Sequence, residues 1–137
     1  MIDVPTEDLR LMLEAGYLYV AMYRFKEAKE LFEGICLLVP ENDVPLVALG
    51  NVFFVEKKYE EAIKIYRKAL KLTPNSSFAK AYLGEALFFN KQKEEAARLL
   101  EEASKLDLHG KSGDFARSLL GLIKKGFDPH SKKKESD

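Results

Sequence analysis

Apolar residues return every three or four positions along most of this chain, in paired stripes parted by short polar breaks. Val44, Val47, Ala48, Val52 and Val55 make one stripe; Tyr59, Ala62, Ile63, Tyr66 and Leu70 make the next. A helix turning once in 3.6 residues places each set on a single face. The pattern predicts seven helices, at roughly 6–22, 25–38, 44–57, 60–72, 77–90, 94–106 and 114–125. Thr6, Asp43 and either Ser76 or Ser77 are the expected caps, because their side-chain oxygens can accept from an unpaired first-turn N–H. Pro40 and Pro74 lack an amide proton and should stop the second and fourth helices. Glu60–Lys64, Glu94–Arg98 and Glu101–Lys105 are spaced to pair on exposed faces.

The stripes repeat. Gly16, Gly50 and Gly84 stand 34 residues apart, as do Ala28, Ala62 and Ala96, and Glu27, Glu61 and Glu95. Phe32, Tyr66 and Leu100 keep the interval with large side chains, and Pro40 and Pro74 close the first two units, where the third has Leu108. The small residues suit close helix contact; the large ones fill the space between successive pairs. At these positions the sequence resembles the tetratricopeptide-repeat family, most fully at Leu49, Gly50, Phe53, Tyr59, Ala62, Tyr66, Ala69 and Pro74. It departs at Ala15, Ile35 and Lys93, where the family usually has Leu, Ala and an aromatic residue. The resemblance implies an all-α, right-handed α–α superhelix. Three helix pairs would occupy about 9–42, 43–76 and 77–110, with a capping helix near 114–125 to cover the last. That helix carries Phe115, Leu119, Leu122 and Ile123 on one face, and Gly126 can end it. Residues 1–126 then form one domain, and 127–137 read as a disordered polar tail.

Composition narrows the partners. Hydrophobic residues make up 47% of the chain, and 22 basic side chains balance 22 acidic ones. Nucleic acid and anionic membranes reward a basic excess, so neither is expected. Apolar runs such as Val52-Phe53-Phe54-Val55 are far too short for membrane insertion. The opening residues are unlike a secretory signal, and the single Cys36 cannot form an internal disulfide, so a reducing cytoplasm is the expected location.

No catalytic chemistry emerges. His109 and His130 lie in an expected loop and tail, without a Cys or carboxylate at metal-ligand spacing, so no metal and no cofactor is expected. Cys36 reads as a small buried hydrophobe, since no base stands near it to make a reactive thiolate. No glycine-rich phosphate loop is present. The Lys132-Lys133-Lys134 run is offset by Glu135 and Asp137 and reads as a solubilising tail. The chain is not expected to be an enzyme.

The resemblance places function in a groove. In this family the first helix of each pair lines a concave face through the second, fifth, ninth, twelfth and thirteenth positions of the unit. Counted from Leu9, these are Arg10, Leu13, Tyr17, Val20 and Ala21, then Val44, Val47, Asn51, Phe54 and Val55. The third repeat supplies Phe78, Ala81, Glu85, Phe88 and Phe89. The set is mostly apolar and aromatic, which suits burial of a partner's side chains. Relatives that clamp a heat-shock protein's C-terminal carboxylate put Lys, Asn or Arg where this chain has Leu13, Tyr17, Phe78 and Tyr82; only Asn51 fits that pattern. A carboxylate here would lack its cations.

A narrower resemblance covers residues 9–125. Arg24 to Leu38, with Cys36 near its end, is similar to the first repeat of the tetratricopeptide chaperones of bacterial type III secretion systems, the class guarding translocators. Three repeats followed by Leu119-Leu120-Gly121-Leu122-Ile123-Lys124-Lys125 also match. This implies a cytosolic chaperone holding a secreted translocator or a needle subunit, with Leu13, Tyr17, Val47, Asn51 and Phe54 on the client. Those chaperones often dimerise through a longer N-terminal region than the eight or so residues found here, and a homodimer stays open. The alternative is a general scaffold or assembly module using self-association or its outer faces.

Overall fold

The computed structural model describes residues 3–131. Seven helices follow one another: α1 (Thr6–Ala21), α2 (Phe25–Leu38), α3 (Asp43–Val55), α4 (Tyr59–Leu72), α5 (Ser77–Phe89), α6 (Lys93–Leu106) and α7 (Lys111–Lys124). Each packs on its sequence neighbour. In addition α1 meets α3, α3 meets α5 and α5 meets α7, whereas α2, α4 and α6 touch only the helices beside them in sequence. The odd-numbered helices therefore form the inner row of a superhelix and the even-numbered ones its outside. Starts at Asp43, Ser77 and Lys111 carry the 34-residue register into α7, which takes the inner place of a further unit.

The repeat residues lock each pair. A Cβ on Gly50 would lie 2.5 Å from the Tyr66 ring, and one on Gly84 would lie 2.7 Å from Leu100 Cγ. At Gly16 a Cβ would run into Phe32. Only glycine lets the large side chain sixteen residues on reach the facing backbone. Ala28, Ala62 and Ala96 are fully buried beside these contacts. Between the helices of each pair the chain turns through Tyr23, Lys57 and Lys91, all at positive φ near 60°. At each turn the next residue's N–H (Arg24, Lys58, Gln92) reaches back to the carbonyl of Tyr19, Phe53 or Leu87, closing the helix with a left-handed cap.

Two of the expected caps move by one residue. Asn42, not Asp43, caps α3 by accepting from Val44 N–H at 2.9 Å. Thr6 lies inside α1, whose cap position is Pro5 with no side-chain bond. Ser76 caps α5, while Ser77 donates to the Ala103 carbonyl and ties α5 to α6. The pairs expected at Glu60–Lys64, Glu94–Arg98 and Glu101–Lys105 are not among those formed by the described residues. Arg98 instead turns to Glu95 and Glu102, and Lys80 reaches Glu102 at 2.7 Å across helices.

The last helix begins a turn earlier than its apolar stripe suggests. Asp107 accepts from Gly110 and Gly113 N–H, and Arg117 donates to the Ser104, Asp107 and Leu108 carbonyls. Together they satisfy the end of α6 and the start of α7. The buried face of α7 is Ala116, Leu119, Leu120 and Ile123; Leu122 is exposed, contrary to expectation. Within the expected tail, Phe127 packs on Phe88, and the ring of His130 meets the Phe89 carbonyl. The Lys132–Lys134 run and the remainder of the tail lie outside the described residues.

Candidate functional site

The inner row presents a shallow trough with two chemically different bands. Across its middle, the ninth residues of the three repeats, Tyr17, Asn51 and Glu85, come from equivalent places on α1, α3 and α5. Asn51 Nδ2 donates to the Tyr17 hydroxyl at 3.0 Å, and the Tyr66 hydroxyl, reaching in from α4, donates to Asn51 Oδ1. Asn51 is thereby committed to the protein itself. Tyr17 keeps 39% of its surface exposed and lies edge-on to Phe32, 5.2 Å between ring centres. Burial pushes the Tyr17, Tyr66 and Tyr82 phenols above their ordinary range, so all three stay neutral hydrogen-bonding groups.

The second band is aromatic. Phe54, Tyr59 and Phe89 meet with ring centres 5.2–5.8 Å apart near the ends of α3 and α5. At the far end of the trough Phe78 and Tyr82 of α5 face Phe115 of α7. They form a cleft of about 340 Å³, with Ala81 at its floor and Lys111 and Ser112 at its lip.

The positions read from the repeat register divide accordingly. Tyr17, Asn51, Phe54, Phe78, Glu85 and Phe89 come together along the trough, and Leu13, Val20 and Val44 are half-buried beside it. Val47, Ala81 and Phe88 are buried in the core, Ala81 beneath the cleft that Phe78, Tyr82 and Phe115 form. Val55 and Ala21 are exposed. Arg10 is engaged with Glu7 and Glu14 along its own helix. Counting positions fixes a residue's height on the helix but not how far the neighbouring helix overlaps it.

Tyr66, Tyr82 and Phe115 were not among the expected groove residues. Tyr82 lies four residues after Phe78 and three before Glu85, so the helical spacing that relates those two also brings Tyr82 to their face. Cys36 is half-buried, with its thiol pushed up by burial and then by Glu33, which disfavours the thiolate. Among the described residues no three His, Cys, Asp or Glu side chains gather as a metal site, and no helix is long and apolar enough to cross a membrane.

Two family models, each described as tetratricopeptide repeat, match residues 13–77 and 53–109 and together span 13–109. The chain is a tetratricopeptide-repeat protein. No curated protein sequence matches it. Its fold is similar to that of SycD, the type III secretion translocator chaperone of Yersinia enterocolitica, solved as an alternative dimer. There the identity is 17%, coverage 91% of this chain and 98% of that one, and the TM-score 0.75. PcrH in complex with the chaperone binding region of PopD is also similar: 18% identity, coverage 92% and 98%, TM-score 0.71. So is the first repeat domain of Spaghetti (RPAP3) bound to the HSP90 peptide SRMEEVD: 22% identity, coverage 92% and 98%, TM-score 0.73. At these identities the likeness is one of fold.

Proposed function

We propose that this tetratricopeptide-repeat protein is a cytoplasmic chaperone or adaptor of the type III secretion kind. In this reading its inner trough holds an apolar segment of a secreted translocator or needle subunit. The observation that carries it is the trough's surface: half-exposed Tyr17, Phe54, Phe78 and Phe89 line a concavity with no cluster of cations. A carboxylate clamp of the kind an HSP90 peptide would need is disfavoured. Where its cations would stand, Phe78 and Tyr82 pack edge to face, with ring centres 5.2 Å apart, and Tyr82 leans on Phe115. Extended apolar side chains entering between these rings would contribute about 1.5–3 kcal/mol each before ordering costs. Support for the secretion assignment comes from the fold shared with SycD and with PcrH bound to PopD.

The test is co-expression with translocators and needle subunits encoded in the same genome. A soluble complex is expected, lost when Tyr17→Ala is combined with Phe54→Ala. A complex that forms equally well with the double variant would remove the trough from the reading.

A second reading has its own observation. Leu11 and Leu18 on α1, and Met22 just after it, are 54%, 62% and 52% exposed. One repeat on, Pro45, Leu49 and Val52 occupy the places of Leu11, Ala15 and Leu18, and all three are buried, Leu49 and Val52 in a core shared with α2. The outer side of α1 is thus an unpaired stacking face, suited to a second copy of the chain in a scaffold or homodimer. Light scattering across a concentration series tests this: self-association that Leu11→Glu with Leu18→Glu abolishes would favour it, and a strict monomer would end it.

A further inference from the structure

The trough floor carries one ionisable side chain that the chain itself leaves uncompensated. Every other half-buried carboxylate among the described residues is answered. Glu27 meets Arg24, Glu56 meets Lys29, Glu95 meets Arg67 and Glu102 meets Lys80. Asp107 accepts from two backbone N–H groups, and Asp43 lies in the first turn of α3, where the helix dipole favours an anion. Glu85 lies in the middle of α5 and forms neither a hydrogen bond nor an ion pair with any described residue. Burial alone pushes its carboxyl up to about 7, from an ordinary value of 4.5, with no cation to hold it down.

Its surroundings define what it can take. Glu85 stands three residues after Tyr82, one turn along the same face of α5. The Tyr82 ring is backed by the buried Tyr66 ring at 6.2 Å and flanked by Phe78 and Phe115. Asn51, in the equivalent place one repeat earlier, has its amide oxygen and one N–H engaged by Tyr66 and Tyr17. A carboxylate bordered by aromatic faces is a receptor for a cation on an apolar stem: the rings cover the methylenes and attract the charge, and the carboxylate accepts its N–H groups. A neutral donor would supply one hydrogen bond and leave the charge unanswered. An acidic side chain would add a second.

We propose that Glu85 sets the client chemistry of the trough. It selects a segment that carries an arginine or lysine among its apolar anchors, seated against Glu85 and the Tyr82 ring. The inference rests on the reading of the trough as a client site and adds to it a demand for charge.

A library of random dodecapeptides displayed on phage, selected in parallel on the wild-type protein and on Glu85→Gln, tests it. The wild type is expected to enrich apolar peptides that contain Arg or Lys, and the variant to enrich apolar peptides without that preference. A synthetic copy of the best wild-type peptide, with its arginine replaced by the neutral isostere citrulline (or its lysine by norleucine), should lose at least tenfold in affinity for the wild type and less than twofold for Glu85→Gln. The peptide substitution on the wild-type protein keeps the test decisive even if the variant folds poorly. Apolar peptides selected equally by both proteins, without basic residues, would overturn the role of Glu85 and leave the trough reading intact. Peptides whose capture survives Tyr17→Ala with Phe54→Ala, or no selected peptides at all, would overturn both.

Discussion

The first and last repeats share one register and end in opposite ways. At the C-terminal end α7 continues the inner row, and its stripe of Ala116, Leu119, Leu120 and Ile123 closes the core of the second and third repeats. At the N-terminal end a smaller core around Phe32, Ile35 and Val52 stops at α1, whose outer side leaves Leu11 and Leu18 in solvent. The contrast shows that a repeat's stability is set by what stands beside it as much as by its own sequence, because each unit buries its faces only against neighbours. The closed end should be the rigid one, and the open end should fray first.

Tyr66 joins the two ends, so Tyr66→Ala should break the comparison most severely. It empties the space over Gly50 and deprives Asn51 of its donor, at a cost of about 3–5 kcal/mol. Urea unfolding should then resolve into two transitions, one for each end; a single shifted transition would show that the ends remain coupled by other contacts. Arg117→Ala strikes the closed end alone. Losing its bonds to three α6-end carbonyls and to Asp114 should cost roughly 2–3 kcal/mol. Amide exchange should accelerate in α7 and leave α1 and α2 unchanged.

Glu85 gives the molecule a pH dependence with a definite sign. Its folded-state pKa of about 7 lies above the unfolded value, so the native state holds the proton more tightly. Stability is therefore fully present below about pH 4.5 on this account and falls as pH rises through 7. With partial exposure discounted, the loss is about 2 kcal/mol. The melting temperature should be higher at pH 5.5 than at pH 8, and Glu85→Gln should abolish most of that difference. The smallest effects sharpen the comparison. Gly34 in α2 and Gly121 in α7 have open space where a Cβ would go, so alanine at either should stabilise its helix by about 0.5–1 kcal/mol. Calorimetry should find the Gly121→Ala gain in the main transition and the Gly34→Ala gain in the fraying of the first repeat.

Much of the fold was legible because glycine, alanine and large residues recur at fixed intervals and each has a packing reason. All seven helices are found where apolar spacing places them, and the main displacement, at α7, traces to Asp107 and Arg117 acting across a turn that periodicity does not see. The left-handed turns at Tyr23, Lys57 and Lys91 carried no glycine to announce them. Register counting gives Tyr17, Asn51, Phe54 and Glu85 the same standing as Val47, Ala81 and Phe88, whereas in the fold the last three are buried. Whether an inner residue is reachable depends on the tilt between units, and a single sequence does not state that tilt. The special standing of Glu85 also needed coordinates: its type and position were visible, but its lack of a counter-charge was not.

The three identical left-handed turns have a manufacturing consequence. Because the backbone reverses in the same way after α1, α3 and α5, residues 43–76 behave as an interchangeable part with matching upper and lower faces. Duplicating that stretch would splice in another rung and lengthen the trough by one step, with both original ends preserved.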